Sequence, residues 1–212
     1  MDGLFNAEGP IFRFLSGIAD AMVISVVWLL FSLPIFTIGA STTALFYVLT
    51  RRIADRDGYL LRDFFSSFKS NFKRATLLWL IWMVLIGAIL FNLRLLTVFE
   101  FDAVITAVLI PIKVAILIEL YITSVYLFPV TARFEMGFLE SIKAAFFMAN
   151  RHVLTTLTVI TTVVGIGFAI VMFPPFIIIS VGAYGYIVSY LVMNVFKKYR
   201  PGMDEDVIPP VD

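Results

Sequence analysis

The sequence predicts an all-α polytopic membrane bundle of about five transmembrane helices, and three observations carry that prediction. Apolar residues make up 61% of the 212-residue chain, against about half in a soluble globule. Only 15% of residues are charged, too few to coat a water-facing surface, for which roughly a quarter is usual. The apolar residues also gather in long charge-free runs, as hydrocarbon requires of a helix whose backbone must pair with itself.

The first run, 21–50, holds no charge. It exceeds the roughly 20 residues that one upright crossing needs. Pro34, Thr37 and Gly39 fall inside it, with Ser41, Thr42 and Thr43 close by. Proline removes a backbone donor, so a kink is expected there. Two forms stay open: one tilted helix continuing into the cytoplasm, or a broken helix lining a polar path. The second span is 75–93, between Arg74 and Arg94, and the third is 103–132, interrupted by Lys113 and Glu119. The uncharged stretch 153–196 needs two spans, divided at Phe173, Pro174 and Pro175.

Lysine and arginine set the expected orientation. Arg51, Arg52, Arg56, Arg62, Lys69, Lys73 and Arg74 lie between the first two spans, and Arg133, Lys143 and Arg151 between the third and fourth. Both connectors are therefore expected on the inner side of the cell membrane. Lys197, Lys198 and Arg200 follow the last span, which puts the C-terminus in the cytoplasm as well. An odd number of crossings then leaves the N-terminus outside, a placement that a re-entrant first segment would reverse. The opening residues lack the basic run and cleavage site of a secretory signal, so the mature chain is expected to start at Met1.

The chain also matches itself in order. Thr50-x-Arg52 recurs as Thr131-x-Arg133, Gly58-Tyr59-Leu60 as Gly137-Phe138-Leu139, Phe68-x-x-Asn71 as Phe147-x-x-Asn150, and Thr76-x-Leu78 as Thr155-x-Leu157. The pattern predicts a parallel two-helix repeat within one membrane domain, 1–212. Repeat one covers about 18–95 and repeat two about 103–173, with an extra span at about 174–197 and a tail at 198–212, where Asp204, Glu205 and Asp206 lie.

Each copy should carry an amphipathic cytoplasmic helix. In the first, Leu60, Phe64, Phe68 and Phe72 recur every four positions, while Lys69, Lys73 and Arg74 take other faces. Burying one such phenylalanine contributes on the order of 2 kcal/mol, and a cation on anionic lipid about 1 kcal/mol. The helix is thus expected either to lie on lipid or to dock a cytoplasmic partner.

Glu119 stands mid-span, where a lone carboxylate costs roughly 2.5 to 3.5 kcal/mol. It must face protein or water. Thr123 and Tyr126 share its helix face, and Lys113 lies too far round for a direct pair. Two roles follow: a substrate or proton path shared with Tyr184, Tyr190 or Asn194, or a hydrogen-bonded carboxyl holding helices together. Gly165, Gly167, Gly182 and Gly185 are read as packing positions.

Function classes are narrowed by what the sequence lacks. There is no cysteine and one histidine, His152, which leaves no thiol nucleophile and no metal cluster of the common kinds. A net charge of +1 offers nucleic acid no basic surface. No hydrolase elbow, phosphate loop or zinc-protease helix occurs. The expectation is a protein without catalytic residues, metal or cofactor.

Leu4, Phe5 and Asn6 with Gly9 and Pro10, the segment from Leu33 through Pro34, Ile35, Phe36, Thr37, Ile38, Gly39 and Ala40, then Thr42, Thr43, Ala44 and Leu45, and the run Phe68, Lys69, Ser70, Asn71 and Phe72 together resemble the YesL-like family. Its members are small multi-pass membrane proteins of Gram-positive bacteria, commonly encoded beside ATP-driven carbohydrate importers and glycoside hydrolases. The resemblance implies an accessory role in sugar uptake and supplies no catalytic residues. A permease of that importer class would carry a Glu-Ala-Ala loop; here Glu140-Ser141-Ile142-Lys143-Ala144-Ala145 stands in the comparable place. The expected partners are the lipid bilayer and an ATP-driven carbohydrate transporter or its membrane-bound regulator. The alternative is an independent small-solute transporter or channel with its path around Glu119.

Overall fold

The computed structural model describes residues 10–54, 59–99 and 102–199. Among them every regular element is helical: α1 (Pro10–Ser32), α2 (Ile38–Ile53), α3 (Leu60–Val98), α4 (Ala103–Arg133), α5 (Phe138–Arg151), α6 (Val153–Met172) and α7 (Ile177–Tyr199), with short 3₁₀ turns at Ile35–Thr37 and Pro174–Phe176. Five are long and apolar enough to cross a membrane: α1, α3, α4, α6 and, with the turn before it, α7. Leu4, Phe5, Asn6, Gly9, Arg56, Gly58 and the tail from 200 onward lie outside the described residues.

The run 21–50 does not form one tilted crossing. Pro34 has no N–H to continue α1, and its extended ψ of 111° turns the chain out of the helix. Thr37 Oγ1 donates to the carbonyls of Phe31 and Pro34, each at 2.6 Å, giving partners to acceptors that the end of α1 leaves free. The chain then reverses. Trp28 Nε1 on α1 donates to Thr42 Oγ1 on α2 at 3.1 Å, and Arg52 at the far end of α2 donates to Asp20 Oδ2 through Nε at 3.0 Å and Nη2 at 2.8 Å. With its ends tied this way, α1–α2 is an antiparallel hairpin, and α2, about 24 Å long, is shorter than a ~30 Å hydrocarbon core. The first run therefore brings the chain back toward the level of Asp20. At the tip, Leu33, Ile35 and Phe36 are exposed.

Gly39 lets this hairpin close on α3, since a Cβ there would strike the Ala75 backbone and the Trp79 side chain. Trp79 Nε1 donates to Ile35 O at 2.8 Å, and Arg51 pairs with Asp63 at 3.4 Å. Helix α3 runs unbroken for 39 residues, about 58 Å. The amphipathic segment is thus the first half of a continuous helix. Part of its phenylalanine stripe is taken up inside the bundle. Phe64 is 0% exposed, and Phe31 of α1 meets Phe64, Phe65 and Phe68 edge-on at ring separations of 5.8, 5.2 and 5.2 Å.

Helix α7 seals the bundle against α1 and α2. Ser25 Oγ accepts from Gly182 N at 2.7 Å and donates to Ala21 O at 2.7 Å, and Gly182 lies on the Ala21 backbone with no room for a side chain. Gly185 similarly faces Leu45 and Leu49. One core joins Phe46, Leu78, Trp82, Tyr126, Val159 and Phe196; a second joins Ile24, Leu45, Leu49 and Phe64.

Candidate functional site: the groove between α3, α4 and α5

Helix α5 begins where the Gly137 N–H donates to Glu140 Oε2 at 2.8 Å, covering one of the orphan donors of its first turn. Arg74 of α3 clamps the preceding turn by donating to Phe134 O at 3.4 Å and to Ser141 Oγ. From there α5 folds back beside α4, so Asn150 at its far end meets Glu119. Glu119 Oε1 accepts from Asn150 Nδ2 at 2.7 Å and from Thr123 Oγ1 at 3.2 Å, and Asn150 Nδ2 also donates to Phe146 O at 3.0 Å. A hydrogen bond to a charged group contributes about 1.5 to 3 kcal/mol, so this contact is a substantial tie between α4 and α5.

The tie borders a groove of about 610 Å³. Ile81, Trp82 and Leu85 come from α3, Ile116, Glu119, Leu120 and Thr123 from α4, and Ile142, Lys143, Phe146 and Phe147 from α5. Trp82 Nε1 is held by Leu120 O at 3.1 Å, which fixes the indole as one wall. Glu119, Lys143 and Thr123 border the groove, but the surface it presents is almost entirely apolar. Among the described residues no three His, Asp or Glu side chains converge on a point.

The polar seam expected on α4 is divided. Glu119 and Thr123 face the groove, whereas Tyr126 is 0% exposed and accepts from Thr156 Oγ1 at 3.5 Å within the core. Lys113 is hydrogen-bonded to Asn92 Oδ1 on α3, away from Glu119. Of the aromatic partners expected from the last span, Tyr184 packs on Phe46 and Tyr190 is exposed. Pro34, Thr37 and Gly39 come together at the tip of the α1–α2 hairpin. Leu60, Phe68, Phe72 and Arg74 are partly covered, while Lys69 and Lys73 are exposed beside Leu61 and Phe65. Sequence reasoning missed Asn150 as the partner of Glu119. Its signal was present in the match between Asn71 and Asn150, two polar groups held at one register of an amphipathic helix.

Fold and groove together define the class: a multi-pass helical membrane protein with a lateral, mostly apolar groove. Within that class, the family model described as "Protein of unknown function, DUF624" matches residues 21–93. The matched segment covers the α1–α2 hairpin from Ala21 and most of α3. No curated protein and no solved structure matches the chain.

Proposed function

We propose that this chain is a non-enzymatic accessory component of carbohydrate uptake in the cell membrane. It acts by packing against an ATP-driven sugar importer or a membrane-bound regulator of it, with both long connectors and the C-terminus on the cytoplasmic side. The observation that carries this reading is the surface left open on the first half of α3, where Leu61 and the outer part of Phe65 are exposed among Arg62, Lys69 and Lys73 while Phe64 is buried against α1. The family match falls on this same region, and YesL-like proteins carry that domain. The ordered match between α2 with the start of α3 and the end of α4 with α5 supports the parallel repeat.

Photo-crosslinking from positions 61, 65, 69 and 73 in intact cells tests the proposal. A transporter ATPase, permease or regulator should be captured, and deletion should lower sugar uptake. Capture of lipid alone, together with unchanged uptake, would count against it. The second reading, an independent solute path, is favoured by the hydrogen-bonded cluster of Glu119, Thr123 and Asn150 within the bundle. It requires solute flux in liposomes that Glu119→Gln abolishes.

A further inference from the structure

We infer that the junction between the α5–α6 bend and the end of α7 is a binding site for an anionic phospholipid of the phosphatidylglycerol type. Arg151 and Lys198 hold its phosphate, and its acyl chains lie against the exposed start of α6 at Val153, Leu154 and Leu157. The inference stands apart from the role in carbohydrate uptake, since it needs only that α6 and α7 cross a bilayer.

The ends of two spans meet at this junction. One helix long and apolar enough to cross a membrane begins at Val153, and another ends at Tyr199. His152 Nε2 and the Tyr199 hydroxyl lie 3.0 Å apart, which pins the end of α7 to the bend. Phe147 joins them, its ring 6.3 Å from that of Tyr199. Exposed aromatic rings with polar tips favour the headgroup level of a bilayer. Beside them Leu154 is 82% exposed, and Val153 and Leu157 are exposed as well. A soluble phosphate would leave those side chains uncovered, whereas a lipid covers them with its tails.

The charge at the junction has one sign. Residues 141–199 include no aspartate or glutamate. Arg151 and Lys198 are exposed, and neither pairs with a carboxylate among the described residues. Glu119, the acid that reaches α5, is occupied by Asn150 and Thr123. The Arg151 guanidinium lies 5.6 Å from the centre of the Phe147 ring. Stacking holds it there without using its N–H groups, whose planar fork stays available for a phosphate. The helix dipole accounts for one cation at the end of each helix. It does not require the ends of α5 and α7 to meet, and their meeting sets two cations around one spot with no acid to answer them. A zwitterionic head would carry its own ammonium into that field as a like charge, whereas phosphatidylglycerol brings the phosphate alone.

Native mass spectrometry of the full chain, exchanged into equimolar phosphatidylglycerol, phosphatidylethanolamine and phosphatidylcholine, tests the inference. The wild type should retain phosphatidylglycerol with a preference of about 25-fold over either competitor, about fivefold for each of two cations on an anionic lipid. Arg151→Gln and Lys198→Gln should each lower that preference about fivefold, and together they should bring the three lipids to parity. Both side chains are exposed, so the thermal transition should be preserved. Arg151→Lys should keep most of the preference, and Lys69→Gln, which removes an exposed cation from α3, should leave it unchanged. Equal retention of all three lipids by the wild type, an intact preference in the double variant, an equal loss in Lys69→Gln, or displacement of the lipid by inorganic phosphate would overturn it. Sugar uptake is read separately, so failure here leaves the accessory role standing or falling on its own experiment.

Discussion

Two helical hairpins that the sequence pairs as copies are built alike and end differently. In the first, α2 meets the start of α3; in the second, the end of α4 meets α5. Both close with a threonine hydroxyl donating to the carbonyl four residues back, Thr50 to Phe46 at 2.6 Å and Thr131 to Leu127 at 2.7 Å. Both place an asparagine on the returning helix that donates one turn back, Asn71 to Ser67 O at 3.2 Å and Asn150 to Phe146 O at 3.0 Å. Past Asn71 the helix runs straight on to Val98, whereas past Asn150 it stops at Arg151, bends at His152 with φ −111° and ψ 53°, and restarts at Val153.

The bend is sustained by a side chain. Thr156 Oγ1 donates to Ala149 O at 3.0 Å and to His152 O at 3.2 Å, supplying partners for acceptors at the break. In register, the first copy has Leu77, which has no hydroxyl. The contacts at the open ends differ in kind as well. Glu119 and Leu120 occupy the register of Ile38 and Gly39. One hairpin closes by backbone approach at a glycine, and the other by a hydrogen-bonded carboxylate.

That contrast predicts a ranked series of losses, readable as thermal stability of the detergent-solubilised protein. Gly39→Leu forces a side chain into the Ala75 backbone and should cost about 3 kcal/mol or prevent folding; spin labels at positions 19 and 53, beside the Asp20–Arg52 pair and feasible in a cysteine-free chain, would then lose their short separation. Asn150→Leu strips the charged tie and should cost about 2 kcal/mol. Its counterpart Asn71→Leu, which loses only bonds within its own helix, should cost well under 1 kcal/mol; equal losses would show that the Glu119 contact is not the stronger tie. Thr156→Val removes the hydroxyl at the bend and should cost about 1 kcal/mol, with amide exchange rising around 149–153 and not around 70–74.

The smallest effect is a pH dependence at the bend. Burial, with Lys198 and Arg151 nearby, holds the His152 imidazole below its ordinary value of 6.5, and its Nε2 lies 3.0 Å from the Tyr199 hydroxyl. A group whose folded pKa is depressed contributes full stability above its unfolded pKa and loses it as pH falls through the folded value. The melting temperature should therefore drop slightly below pH 6.5, and His152→Gln should remove that component. No counterpart is expected from Lys73, which holds the same register in the first copy.

Much of this architecture was legible from local pattern. The apolar stretches, the breaks at Pro34 and at Pro174, the amphipathic starts at Leu60 and Phe138, and the need of Glu119 for a polar neighbour all follow from composition and period, which act within a turn or two of helix. What Pro34 does to the chain was not legible. A proline permits either a kink or a reversal, and the reversal rests on Arg52 reaching Asp20, Trp28 reaching Thr42 and Gly39 meeting Ala75.

By itself, then, the sequence determined that the chain lives among acyl chains, because solvation by hydrocarbon depends on which residues are consecutive. Only the tertiary structure decided that the first run turns back, that Phe64 faces Phe31 instead of lipid, and that Asn150 is the residue that answers Glu119. Those outcomes depend on pairings between residues distant along the chain, where geometry sets the partner and helical periodicity says only which face is available.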